Sequence, residues 1–244
     1  DLWVVGAALN TIGSISYSAG PITAAFTINL SGQSFGNAEL KTLILEQLDQ
    51  LRIPPQKVMF EITETAAISN LSQALDFMKS LRERGCRFIL DDFGSGLSSF
   101  RYLKSLDIEF LKIDGELVRE IATDPIQREM VAAIHRIGES MGIQTIGEWV
   151  ENSQIEKALI EIGVDYAQGW GDDFCKHMLY HGLDSYFTGF FTVYMPSHTI
   201  CNDIQSHGNT GAVAHQIRGH CKQSVLVYFT LHANRTANSN LKWF

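Results

Sequence analysis

The sequence predicts an α/β fold in which a parallel sheet curls into a (β/α)8-type barrel, and two observations lead there. Short β-rich runs alternate with amphipathic helical patterns through the first 171 residues, giving six countable βα units. The six strands then each end in a polar or charged group: Asn29, Glu61, Asp91 with Asp92, Lys112 with Asp114, Glu148, and Gln168. An open doubly wound sheet gathers its ligand groups at one switch point, whereas a barrel brings the C-terminal ends of many strands into one ring. Polar ends on successive strands fit the ring better.

The elements follow in chain order. Strands are expected at 22–30, 57–63, 87–91, 108–114, 143–148 and 166–170. After the first, Asn37 stands as an N-cap before Leu40, Leu43, Ile44, Leu48 and Leu51, whose spacing puts them on one helical face. Asn70 holds the same place before Leu71, Leu75, Met78 and Leu81, and Arg84-Gly85 closes that helix with a cation and a glycine. Further helices are expected over 124–141, with Pro125 in the first turn, and over 152–161.

Composition divides the chain near residue 171. Residues 1–171 hold fourteen Glu and one His, whereas residues 172–244 hold no Glu and seven His. The later stretch lacks the βα alternation apart from a candidate strand at 224–231, so it is read separately. Cys175, His177 and His181 follow its general shift in composition more than a zinc-binding pattern.

Charge and composition also exclude function classes. A net charge of −8 argues against a DNA or RNA polymer held on a broad basic surface. No run of about 18 apolar residues offers a membrane contact. The sequence opens on Asp1 with no basic segment of the secretory kind, and its four cysteines show no spaced framework, so the cytoplasm is the expected compartment.

The chemistry lies in the strand ends. Read singly, Asn29 is a loop-entry turn residue, Glu61 and Glu64 a solvated helix start, Lys112 a core-edge lysine with its head in water, and Glu148 with Glu151 one face of a helix start. Asp91-Asp92 resists such a reading, because two adjacent carboxylates behind the apolar run Phe88-Ile89-Leu90 repel each other unless a cation compensates. Together the groups describe an oxygen-rich site for two divalent ions such as Mg²⁺ or Mn²⁺, the arrangement of a two-metal hydrolase. The stretch Asp92-Phe93-Gly94-Ser95-Gly96-Leu97-Ser98-Ser99 reads as a tight loop beside them, with Ser98 as a helix N-cap.

Six ordered motifs then match a known family. Ile28-Asn29-Leu30-Ser31, Phe60-Glu61-Ile62-Thr63-Glu64, the run from Asp91 to Gly96, Leu111-Lys112-Ile113-Asp114-Gly115, Thr145-Ile146-Gly147-Glu148-Trp149-Val150-Glu151 and Asp165-Tyr166-Ala167-Gln168-Gly169-Trp170 resemble those of EAL domains. The resemblance covers residues 1–171 and implies a TIM-type barrel that hydrolyses cyclic di-GMP to linear pGpG with two Mg²⁺ or Mn²⁺ ions. By that resemblance Asn29, Glu61 and Asp91 hold one ion, and Asp91, Asp92 and Glu148 the other. Lys112 orients the attacking water and Glu148 is a general base; Glu151 joins them in the catalytic set, as does Glu64, which anchors the Gly94–Gly96 loop. Gln168 and Asp114 are the cofactor-binding groups.

The same resemblance implies that the barrel is incomplete, with its first two βα units and the Glu-Ala-Leu strand absent, and Asp1 to Val5 forming the helix after that strand. Ser95, Leu97, Gly147 and Trp149 depart from the family's commoner residues without removing a ligand. Residues 172–244 show no likeness to it and are read as frameshifted, fused or poorly ordered. Further implied are a homodimer, upstream regulatory domains, and a parent protein tethered to a membrane. The alternative function is an inactive EAL domain that serves as a cyclic di-GMP receptor or interaction module.

Overall fold

The computed structural model describes residues 1–19, 25–95, 100–169, 190–194, 226–230 and 242–243. Six parallel strands run side by side in chain order: β1 (Ala25–Leu30), β2 (Val58–Thr63), β3 (Arg87–Phe93), β4 (Phe110–Ile113), β5 (Gln144–Gly147) and β6 (Tyr166–Ala167). They form a half-barrel backed by helices. Three further strands lengthen its edges. β7 (Phe190–Tyr194) pairs antiparallel with β8 (Leu226–Thr230), which lies antiparallel along β1, and β9 (Lys242–Trp243) adds in parallel beside β6. The expected strand at 224–231 is β8, while Cys175, His177 and His181 lie outside the described residues.

The helices follow the sequence pattern with local differences. α1 (Leu2–Ala19) is longer than the helical start read at Asp1 to Val5, and its Val5, Ala8, Leu9 and Ile12 are buried. α2 (Ala38–Gln50) begins where the Asn37 side chain accepts the Leu40 N–H at 3.0 Å, and buries Leu40, Ile44 and Leu48. A short helix, α3 (Glu64–Ser69), precedes the one expected after Asn70, which is α4 (Leu71–Arg82). Thr63 caps α3 through the Ala66 N–H, whereas Asn70 stands at the N-cap of α4 as expected but its side chain makes no capping bond. α4 ends at Arg82, earlier than Arg84-Gly85, and Gly85 makes the turn at φ +100°.

A one-turn helix unforeseen from sequence, α5 (Gly115–Arg119), leaves the end of β4. It is too short to carry a hydrophobic period. α6 (Pro125–Met141) and α7 (Ser153–Ile162) are capped by the side chains of Asp124 and Asn152, and both end at left-handed glycines, Gly142 and Gly163.

Alternation along the strands sorts the side chains into two layers. Phe26, Ile28 and Leu30 of β1, Phe60 and Ile62 of β2, Phe88 and Leu90 of β3, and Leu111 and Ile113 of β4 join the large core shared with the helices. Burying a phenylalanine such as Phe60 contributes about 3 kcal/mol. The opposite face carries a smaller apolar cluster of Ala25, Met59, Ile89, Phe110, Ile146 and Tyr166. Polar residues two positions further along each strand stand above that floor.

Candidate metal centre

Parallel register places the polar ring. Asn29 pairs with Glu61 across β1 and β2, and Thr63 with Asp91 across β2 and β3. Between β3 and β4, Leu90 pairs with Leu111 but Phe93 with Ile113, so β3 carries one extra residue. That bulge falls on Asp91 and Asp92, with Asp92 at φ +56°. Regular alternation would send adjacent aspartates to opposite faces; the bulge turns both to one side. Carboxylate oxygens of Asp91, Asp92 and Glu148 accordingly lie within 4.8 Å of one another.

Lys112 stands in the middle of the acidic groups. Its Nζ is 2.7 Å from Glu148 Oε1, 2.8 Å from Asp91 Oδ1 and 3.4 Å from Glu61 Oε2. The lysine is only 1% exposed and Glu61 2%. Burial alone would lower the Lys112 pKa, but Glu61, Asp91 and Glu148 together outweigh it and hold the ammonium well above its ordinary value. One cation does not balance the carboxylates. Burial pushes Glu148 up to about 7, with Asp91 and Glu61 adding to the rise and Lys112 opposing it. Glu61 is raised by burial and by Asp91 against Lys112, and Asp92 by burial, Asp91 and Asp114.

These shifts have a consequence for stability. The folded protein holds the Glu148 proton more tightly than the unfolded chain, so this contribution is present below pH 4.5 and is lost as pH rises through about 7. Glu61 and Asp92 act in the same direction. The Tm of the metal-free protein is therefore expected to fall between pH 5 and pH 8, and added Mn²⁺ to raise it most at pH 8; calorimetry across that range checks both.

The donors fit hard divalent ions. Every candidate ligand is a carboxylate or amide oxygen, matching Mg²⁺ or Mn²⁺ more than a softer metal. Among the described residues, the buried Asn29 Nδ2 and Gln168 Oε1 have no hydrogen-bond partner. A buried amide left unpaired is costly unless something else is bound nearby.

Other expected site residues have different places. Glu64 does not join the cluster. Its carboxylate accepts the Gly94 N–H at 3.2 Å and the Tyr102 hydroxyl, so it supports the loop after β3. Tyr102 was not foreseen, because its hydroxyl reaches Glu64 across 38 residues of sequence. Asp114 caps α5 through the Glu116 N–H at 2.7 Å and faces Asp92 only electrostatically. Glu151 is exposed just before the α7 cap and is not part of the cluster, since Val150 takes the buried position in that turn. Gln168 reaches the ring through backbone bonds of its N–H to Gly147 O at 2.8 Å and its carbonyl to the Val150 N–H at 3.0 Å. Residues 96–99, including Gly96 and Ser98, and Trp170 lie outside the described residues.

Gly94 meets two constraints at once. Its φ is +96°, and a Cβ there would fall 2.5 Å from Leu117 Cδ1. The leucine end can shift, but the backbone strain remains. Gly94→Ala is expected to destabilise the protein by about 1 kcal/mol and to loosen the loop from Glu64, as read by urea denaturation.

Comparison with known proteins agrees with this geometry. The model of the family described as EAL domain matches residues 1–171. The chain is 42% identical over 144 residues to the cyclic di-GMP phosphodiesterase PdeB of Shewanella oneidensis, covering 59% of this chain and 17% of that protein. The chain thus spans less than a fifth of that curated relative. Among solved structures, the Xanthomonas citri FimX EAL domain in complex with c-diGMP superposes with a TM-score of 0.65 at 29% identity, covering 71% of this chain and 67% of the other. Klebsiella pneumoniae BlrP1, in a manganese/cy-diGMP complex, gives 0.62 at 26% identity over 69% of this chain and 43% of the other.

Proposed function

The chain belongs to the EAL domain family, and we propose that residues 1–171 form the reaction centre of a divalent-metal phosphodiesterase that opens cyclic di-GMP to linear pGpG. The observation that carries this reading is the buried acidic ring around Lys112, a charge distribution that calls for cations. Asp91, Asp92 and Glu148 would hold one ion and Asn29, Glu61 and Asp91 a second, with Mg²⁺ or Mn²⁺ as the ions. When bound, such ions offset charge on the phosphate and on the attacking and leaving oxygens.

The remaining steps belong to the protein's own groups. In the hydrolysis, water adds to phosphorus, one P–O3′ bond breaks, and the product carries a 5′-phosphate and a free 3′-hydroxyl. Glu148, which lies 2.7 Å from Lys112 and beside Asp91, is placed to take the proton that the water loses. Lys112, held protonated by the carboxylates around it, donates to Asp91 and Glu148 and is placed to orient the attacking water beside them. Gln168 offers an amide oxygen that is unpaired among the described residues, just past the sixth strand.

Incubating the full-length protein with cyclic di-GMP and Mn²⁺, and separating products by chromatography, tests the proposal. Formation of pGpG is expected. Tight binding without pGpG would favour the receptor function, and neither binding nor turnover would sink both.

A further inference from the structure

The turn that carries Glu148 contains an unusual residue. Trp149 has φ +50°, in the left-handed region that bulky residues avoid. Its indole is 42% exposed, and α5 holds it at two points. The Arg119 guanidinium lies 4.7 Å from the ring centroid, and a Cβ on Gly115 would fall 2.1 Å from Trp149 Cδ2. Only glycine at 115 leaves room for the ring there. α5 itself springs from the end of β4, three residues after Lys112.

We propose that Trp149 is a positioning residue whose indole clamps the Glu148 turn onto α5 and so fixes Glu148 against Lys112 and Asp91. The strained backbone persists because the ring contacts on Gly115 and Arg119 over-determine it. Two main-chain bonds flank the clamp, Glu148 N–H to Ile113 O at 3.2 Å and Val150 N–H to Gln168 O at 3.0 Å, and they tie β5 to β4 and β6. Loss of the ring leaves the turn to those bonds, the Lys112–Glu148 ion pair and the buried Val150. The consequence for metal affinity rests on the function proposed above, whereas the clamp itself does not.

Trp149→Gly separates positioning from bulk stability, since glycine relieves the left-handed strain while deleting the clamp. In the full-length protein the Tm is expected to stay level or rise, while Mn²⁺ affinity measured by calorimetry weakens about tenfold or more. Arg119→Ala should weaken it in the same direction by less. Amide hydrogen exchange of Glu148 and Val150 should quicken in both variants without metal. Unchanged exchange overturns the clamp, and faster exchange with unaltered Mn²⁺ affinity overturns its role in positioning the ligand. Should the unaltered protein bind no Mn²⁺, the metal reading falls and exchange alone decides the clamp.

Discussion

Lys112→Met is expected to cost the metal-free protein about 3 to 5 kcal/mol at pH 8. The variant would leave Glu61, Asp91 and Glu148 buried around a methyl group, without the ammonium that now lies within 3.4 Å of all three. At pH 5.5 the loss should shrink, because Glu148 and Glu61, both raised above their ordinary range, can take up protons in place of the missing charge. Mn²⁺ should recover part of it at pH 8 by the same compensation. Urea denaturation at the two pH values, with and without the ion, reads all of this. Hydrolysis of cyclic di-GMP should fall by roughly 100-fold or more, the usual scale for removing one charge-stabilising donor. A variant as stable as the parent at pH 8 would show that the ring does not depend on its lysine.

Glu148→Gln is expected to move stability and turnover in opposite directions. The carboxylate is 8% exposed, and at pH 8 its ionised form sits above a pKa of about 7, so removing the charge relieves repulsion with Asp91 and Glu61. The amide keeps the size and one acceptor for Lys112. Metal-free Tm at pH 8 should therefore hold or rise, whereas turnover should drop by about 100- to 10,000-fold with the loss of the proton acceptor. Thermal melts beside a pGpG assay decide it. A variant that is both less stable and only several-fold slower would move Glu148 from chemistry to structure.

These two residues also show what was legible before the structure. Lys112 and Glu148 could be picked out because each follows an apolar β run and lies at the end of a strand, where period-two alternation alone places it above the floor of Ile146 and Phe110. Alternation along the parallel strands likewise marks Asn29 and Glu61 as neighbours. Glu64 and Glu151 were harder to place. Whether an acidic residue in the turn after a strand, as Glu64 is directly after β2 and Glu151 four residues after β5, points into the ring or away from it depends on the turn, and turn dihedrals leave little trace in sequence. The left-handed backbone at Asp92 and Trp149 is a case in point, since neither residue type announces it. A short helix stands before the one read after Asn70 because the Thr63 side chain acts as a cap and reaches the Ala66 N–H.

The extra residue in β3 bears on how such a centre can be gained or lost. Substitutions at Asp91 or Asp92 change a candidate ligand and leave the frame intact, whereas removing one of these two residues, the only ones between Leu90 and Phe93, would restore an even strand with a single carboxylate on the ring side. A change of chain length by one at this point would thus take away a carboxylate and, with it, the irregular backbone that seats two acids side by side at the rim.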